Sequence, residues 1–372
     1  MTRELEETYL AMITCRNCQQ PYPENTSPHI CTSCGGLFGF HEGLEYDSEK
    51  VTPELPGIWR YRHSFSLPQE APLITLGEGN TPLIWSEVFG KKVGFKLESL
   101  NPTGSFKDRG TPVLLSWLAA MGVTEAVEDS SGNAGASFAA YAARAGIKAR
   151  IFIPAYASGP KRAQIESYGA DVISVPGLRS KAAEAVIQEV NDGAVYASHA
   201  YLPQGTAGIA TIAYELFQQL GGIPGTIVLP VGHGSLLLGV ALGFQALKRK
   251  GLIAEFPKII GVQAEECDPL YRAYQSQSSE PCSIEEGKTI AEGVQISVPY
   301  HGRDVLRFVK ESDGSFLAVG ESEIVEGQQQ LNKLGIHVEL TSALVWNALE
   351  QIHQEYPEPF VCIMTGHGLK GV

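Results

Sequence analysis

Between residues 127 and 250 the chain alternates short apolar runs with longer segments of helical composition, and this alternation limits what it can fold into. Residues 127–128 lead into an Ala-rich helix over 134–145. Residues 149–153 read as strand, 160–168 as helix, 171–175 as strand and 181–190 as helix. The pattern continues with a strand at 226–231, a helix at 236–250 and a late strand at 360–363. Strands separated by helices pair in parallel, and the helices cover both faces of the sheet. The fold class is therefore α/β, with parallel-rich sheets flanked by helices. The chain shows no internal repeat and no low-complexity segment.

At 372 residues the chain has length for two or three domains and a large core. Its 44% hydrophobic and 19% charged residues suit a globular protein rather than a disordered one. A net charge of −13 argues against nucleic acid as partner. No apolar run is long enough to span a bilayer, and the acidic start, Met1 to Thr8, lacks the apolar core of a signal peptide. A cytoplasmic protein without membrane contact is expected.

Ligand sites of open α/β sheets lie at the carboxyl ends of strands, so the Gly-rich turns there are the places to look. Ser130-Ser131-Gly132-Asn133-Ala134 opens the Ala-rich helix. Its N–H groups suit a carboxylate, although Ser and Asn at a helix start are also plain N-caps. Pro230-Val231-Gly232-His233-Gly234-Ser235-Leu236 follows a strand and opens another helix; consecutive N–H groups in such a turn form an anion nest. Met364-Thr365-Gly366-His367-Gly368-Leu369-Lys370 follows the last strand. Asn101-Pro102-Thr103-Gly104-Ser105-Phe106-Lys107-Asp108-Arg109-Gly110 sets a lysine in a small polar turn before a helix-like run over 112–121. A nucleophilic lysine needs such a fixed, partly desolvated place, but a lone lysine there also reads as an exposed helix-capping residue. An NAD-type dinucleotide fold is excluded, because no G-x-G-x-x-G follows a first strand with an acidic residue about 20 positions on.

Four of the seven cysteines, Cys15, Cys18, Cys31 and Cys34, form C-x2-C-x12-C-x2-C. Two such knuckles complete a tetrahedral thiolate site, so structural zinc is expected rather than a disulfide or redox pair. Four sulfurs close the shell against catalysis. Cys267, Cys282 and Cys362 have no such spacing and read as ordinary thiols.

The four motifs together carry a resemblance. Asn101 to Gly110 closely resembles the lysine motif of the β-family (fold type II) pyridoxal-phosphate (PLP) enzymes, and most of all that of their threonine synthase branch. Leu76-Gly77-Glu78-Gly79-Asn80-Thr81-Pro82-Leu83 is similar to that branch's GEGxTPL segment, and the Thr365 segment to its TGxGLK ending. An N-terminal ribbon with a turn like Cys31-Thr32-Ser33-Cys34-Gly35-Gly36 is also common there. The resemblance implies two domains and a zinc ribbon: residues 1–45 as ribbon, 46–110 with 205–372 as a large PLP-binding domain, and 111–204 as a small mobile α/β domain. It implies PLP carried on Lys107, its ring hydroxyl met by Asn133, its phosphate by Gly232, His233, Gly234, Ser235 and Leu236, and its ring nitrogen by Thr365. For His233, packing is the preferred reading over a phosphate contact. A neutral hydroxyl at the ring nitrogen favours elimination and replacement over transamination. Ser130, Ser131 and Ala134 are implied to frame the substrate α-carboxylate, with Ala134 where the branch usually has Thr. A homodimer is expected from the resemblance.

The implied activity is that of a lyase on a small amino acid with a leaving group at the β or γ carbon, with O-phosphohomoserine to threonine and phosphate foremost. The chain departs from the branch where that phosphate is held. An Asn, a Ser and an Arg are expected; His199, Ala200 and Gly205 stand there, leaving Lys161, Arg162 or Arg179 as other sources of charge. Pro230–Leu236 and Thr289-Ile290-Ala291-Glu292-Gly293 resemble serine/threonine dehydratases instead. A serine/threonine ammonia-lyase or a β-replacement enzyme on an unphosphorylated amino acid is thus the alternative, and a non-catalytic PLP-binding protein a third. Gly335-Ile336-His337-Val338-Glu339 with Ser342 and Ala343 resembles a further segment of the family, with Leu340 in place of Pro.

Overall fold

The computed structural model describes residues 13–23, 26–40, 42–285 and 287–371; the acidic stretch Met1 to Thr8 lies outside them. The chain divides into two compact units. One holds the described residues through Gly79 together with Lys107–Thr211, and the other holds Asn80–Phe106 and the chain from Ile212 onward.

The first unit is built on a three-stranded parallel sheet with Lys148–Pro154 between Glu125–Glu128 and Asp171–Val175. The helices Asn133–Ala145, Pro160–Ser167 and Arg179–Asn191 connect these strands, as the alternation requires. Gly146 ends the first of these helices in the left-handed region (φ 69°), and its N–H returns to the Ala142 and Ala143 carbonyls. The helix carrying Lys107 runs Lys107–Ala120. It starts five residues earlier than Pro112, the residue that suggested its start. Proline tolerates a first turn best, yet here it stands one turn further in. The small hairpin Ile13–Cys15 with Phe38–Phe40 is not a separate body. Its Tyr22 ring packs edge-on to Phe38 (4.6 Å) and Trp117 (5.6 Å), so ribbon and helix share one core.

The second unit holds a six-stranded sheet in the order Ser315–Val319, Lys258–Ala264, Thr226–Pro230, Phe360–Ile363, Lys91–Lys96, Leu83–Val88. The first five run parallel and the last antiparallel. Thr226–Pro230 and Phe360–Ile363 are buried at every residue, as central parallel strands covered on both faces must be. The antiparallel edge comes from a two-residue hairpin turn, Phe89 and Gly90, both at positive φ (52° and 70°), the twist that matches paired strands. The helices Glu321–Lys333 and Leu340–Ile352 pack Ile324, Leu331, Leu344 and Val345 into a core with Val228, Ile260 and Val262. Leu340 begins its helix, the position where a proline of the related segment fits equally well.

Candidate active site

The turn that delivers Lys107 is held by hydrogen bonds within the second unit. Glu98, fully buried, accepts from the Thr81 hydroxyl (2.7 Å) and from Asn101 Nδ2 (2.9 Å). Lys370 Nζ donates to the Thr103 carbonyl at 2.7 Å, and His367 N–H donates to the Gly104 carbonyl at 2.9 Å. Phe106 N–H donates to the Thr365 carbonyl at 2.9 Å, so the residue directly before Lys107 is pinned to the residue just beyond the last strand. Gly104 takes φ 87° there, a conformation a side chain resists. Lys107 itself is half-buried, the first residue of its helix. Glu98 is a residue that sequence reasoning passed over, and Lys370 was read only as part of its motif. A glutamate and a lysine beside a motif look like solvated surface until the fold buries them.

The Thr365 hydroxyl is fixed as firmly. Ser342 Oγ lies 2.8 Å from Thr365 Oγ1 and also accepts the Gly366 N–H at 3.1 Å, and both side chains are buried. In the same unit the turn after Thr226–Pro230 enters the helix Ser235–Arg249 through Gly234 at φ 97°. No side chain caps that helix start. The Ser235 hydroxyl is buried with no hydrogen-bond partner among the described residues. A Cβ at Gly232 would lie 2.8 Å from the Gly293 carbonyl oxygen, so the T-I-A-E-G segment backs this turn. An uncapped helix start, an unused hydroxyl and glycines at two positions of the turn fit a phosphate. His233 stacks its ring on Tyr300 (4.5 Å, 9°), in keeping with the packing preferred for it. Leu236 is buried within the first turn.

In the first unit Ser130 and Ala134 are buried, while Ser131 and Asn133 are half-buried. Ser130 Oγ accepts the Gly132 N–H (3.2 Å), and Asn133 is the first helical residue. A Cβ at Gly135 would collide with the Ser130 carbonyl oxygen, so the turn closes tightly on its helix. Two acids precede this turn. Strand Glu125–Glu128 is flanked by residues 195–197 through Val127 N–H to the Val195 carbonyl (2.8 Å) and Ala197 N–H to the Val127 carbonyl (2.9 Å). That pairing brings His199 Nδ1 to 2.8 Å from Glu128 Oε1, and the Tyr196 hydroxyl donates to Asp129 Oδ1 at 2.7 Å. Burial and the Asp129 charge hold the Glu128 carboxyl well above the usual range, against the pull of Lys107 and Arg179. Sequence reasoning singled out His199 but not Glu128, which ends its strand like any surface acid.

The position where the resemblance leads one to expect arginine is a glycine set closely against a neighbouring helix. A Cβ at Gly205 would lie 3.2 Å from the Gly110 carbonyl oxygen, and one at Gly110 would lie 2.8 Å from that of Gly205. One turn on, a Cβ at Gly208 would collide with the Arg109 carbonyl. The helices Lys107–Ala120 and Gln204–Leu220 thus meet backbone to backbone here. Of the other cations, Arg162 is engaged with Glu166 (2.8 Å) and the Ala157 carbonyl (3.2 Å).

The four cysteines converge. Cys15 Sγ is 3.4 Å from Cys34 Sγ, Cys18 Sγ is 3.7 Å from Cys31 Sγ, and all four sulfurs lie within 4.8 Å of one another. Such a cluster is compatible with one tetrahedral metal ion. The fully buried Glu78 of G-E-G has a structural place: it accepts from Trp59 Nε1 (3.0 Å), the Thr75 hydroxyl (3.1 Å), Leu76 N–H (2.9 Å) and the Tyr141 hydroxyl (2.8 Å). No helix of the described residues is long and apolar enough to cross a membrane.

Residues 74–366 match the family described as pyridoxal-phosphate dependent enzyme. The chain is 34% identical to the threonine synthase of Methanocaldococcus jannaschii, over 96% of this chain and 92% of that protein. It is 33% identical to the threonine synthase of Methanosarcina acetivorans, with the same coverage. Among solved structures, a threonine deaminase from T.th. superposes with a TM-score of 0.65 at 28% identity, covering 77% of this chain and 92% of that one. The processed threonine deaminase isoform 2 of Solanum lycopersicum superposes with a TM-score of 0.70 at 20% identity, covering 93% and 95%, and so shares the fold. The chain belongs to the fold type II pyridoxal-phosphate-dependent enzymes, as a threonine synthase-like member of lyase type.

Proposed function

We propose that this enzyme removes the α-proton of an unphosphorylated β-hydroxy amino acid, expels the hydroxyl and releases ammonia and a 2-oxo acid. The observation that carries the choice of substrate is that a glycine, Gly205, packed against the Gly110 backbone, stands where the resemblance leads one to expect the phosphate-binding arginine. Kinship with threonine synthases supports the other reading, conversion of O-phosphohomoserine to threonine and phosphate.

In either reading Lys107 would carry the cofactor, and Asn133, Thr365 and the turn from Gly232 to Leu236 would hold its ring hydroxyl, ring nitrogen and phosphate. Bound PLP would supply a sink for the electron pair left on the α-carbon. The Lys107 amine accepts the α-proton. Ser130, Ser131 and the first N–H groups of the helix Asn133–Ala145 hold the substrate carboxylate. Zinc on Cys15, Cys18, Cys31 and Cys34 stabilises the ribbon, and the enzyme works as a cytoplasmic homodimer. Metal analysis and solution mass check those two statements.

The test is the visible spectrum and product assay of the purified holoenzyme with L-serine, L-threonine and O-phospho-L-homoserine. Spectral change with ammonia and 2-oxo acid from the hydroxy amino acids is expected. Phosphate and threonine from O-phosphohomoserine alone would reverse the choice of substrate. A protein that exchanges the α-proton of no amino acid would instead be a non-catalytic PLP binder.

A further inference from the structure

The Glu128–His199 pair is not needed to hold a cofactor or a substrate carboxylate, and it is expensive to keep. Glu128 has 1% of its side chain exposed, one oxygen bound to His199 Nδ1 at 2.8 Å and the other buried with no hydrogen-bond partner among the described residues. A second carboxylate, Asp129, follows it directly. A carboxyl placed this way costs stability that a glutamine or an apolar residue would not. Its neighbour is the member that reaches outward: His199 keeps 21% of its side chain exposed. Both stand at the carboxyl end of strand Glu125–Glu128, directly before the Ser130–Ala134 turn, and the charges of Lys107 and Arg179 act on Glu128. A buried acid orienting a half-exposed histidine is an arrangement for moving a proton.

We infer that His199 is the catalytic acid that protonates the departing β-hydroxyl of the substrate, with Glu128 as the residue that positions it. The assignment rests on the lyase reading above. Lys107 takes the α-proton, the Cβ–O bond breaks with its electron pair on oxygen, and protonated His199 donates to that oxygen, so that water leaves. Lys107 has gained one proton and His199 has lost one. The released enamine takes up water and loses ammonia to give the 2-oxo acid. A phosphate leaves without needing a proton, so a proton donor placed here serves a poor leaving group rather than a phosphate.

The experiment compares leaving groups on the holoenzyme. With L-serine, whose hydroxyl must be protonated, His199→Asn and Glu128→Gln lower kcat by about 100-fold or more. With β-chloro-L-alanine, whose chloride leaves unaided, both variants stay within about threefold of the parent, because general acid catalysis has nothing to supply. An equal fall on both substrates, or no fall on serine, overturns the assignment, and the chloride substrate also reports whether a variant has kept its fold. Binding gives a readout apart from turnover. L-2-Amino-5-phosphonopentanoate carries a phosphonate and no leaving group, and calorimetry on the holoenzyme is expected to show no binding that His199→Asn weakens. Tight binding lost in that variant would make His199 a phosphate ligand and overturn the proposal. If neither serine nor β-chloroalanine is turned over, the lyase reading itself fails, and this assignment with it.

Discussion

The molecule carries two versions of one device: a parallel strand, a Gly-rich turn and a helix opening at the strand's carboxyl end. In the second unit the strand Thr226–Pro230 ends in Pro and is followed by Val231, so the turn to Ser235 is bordered by no charge of its own. In the first unit the strand ends in Glu128 and is followed by Asp129, so the turn from Ser130 follows two acids. Backbone geometry makes both turns fit to meet an anion, and the residue just before each decides what kind. The neutral turn suits a dianionic phosphate. The acid-bordered turn suits a single carboxylate with a proton donor beside it.

Four measurements break or sharpen this contrast. Lys107→Ala leaves both turns intact but removes the base, so α-proton exchange falls by about 10³-fold or more. Mass spectrometry after borohydride reduction then finds no lysine-linked PLP. The two glycines come next. Gly135→Ala drives a Cβ into the Ser130 carbonyl and Gly232→Ala sets one 2.8 Å from that of Gly293, so each costs about 1–3 kcal/mol in urea unfolding, Gly135→Ala the more. Only Gly232→Ala is expected also to weaken PLP retention on dialysis.

Third, Glu128→Gln separates the acid turn from the neutral one by pH. The Glu128 pKa is raised by folding, so the folded state holds its proton where the unfolded chain has lost it. Its contribution is present below the ordinary carboxylate range and fades as pH rises toward the folded value, at up to about 1.4 kcal/mol per pH unit. Denaturation across pH 5 to 9 is expected to show the wild type losing ground to the Gln variant as pH rises. A pH-independent difference would mean that Glu128 is ionised when folded. Smallest is Ser342→Ala, which removes the partner of the Thr365 hydroxyl. It costs about 1 kcal/mol in thermal or urea unfolding.

The sequence made the first-order architecture legible because strand and helix periods differ and the connecting turns are rich in glycine. The strands 171–175 and 360–363 came out where expected, other boundaries shifted by a residue or two, and the helix carrying Lys107 began five residues before the expected Pro112. The turns of Lys107, Asn133 and Thr365 stood out in the sequence because they combine residues that few other sites require, and the roles given to these residues are the ones proposed above. Glu128 did not stand out, since one acid at a strand end reveals nothing until residues 195–197 lie alongside and carry His199 to it. The departure from arginine was visible as a glycine, but its close packing was not. Gly205 and Gly110 are distant in sequence and explain each other only when two helices touch.

The order of strands in the larger sheet has a consequence for how the enzyme is made. Phe360–Ile363 lies between Thr226–Pro230 and Lys91–Lys96, so the strand translated last is the one that joins the two halves of the sheet. While the ribosome is still working, both inner edges stand open beside buried apolar residues, exposed to sticking to other chains. The pinning of Phe106 to Thr365 also waits for that strand. Until that strand is in place the turn before Lys107 lacks this contact, so the seat proposed for the cofactor is completed only after the sheet is closed.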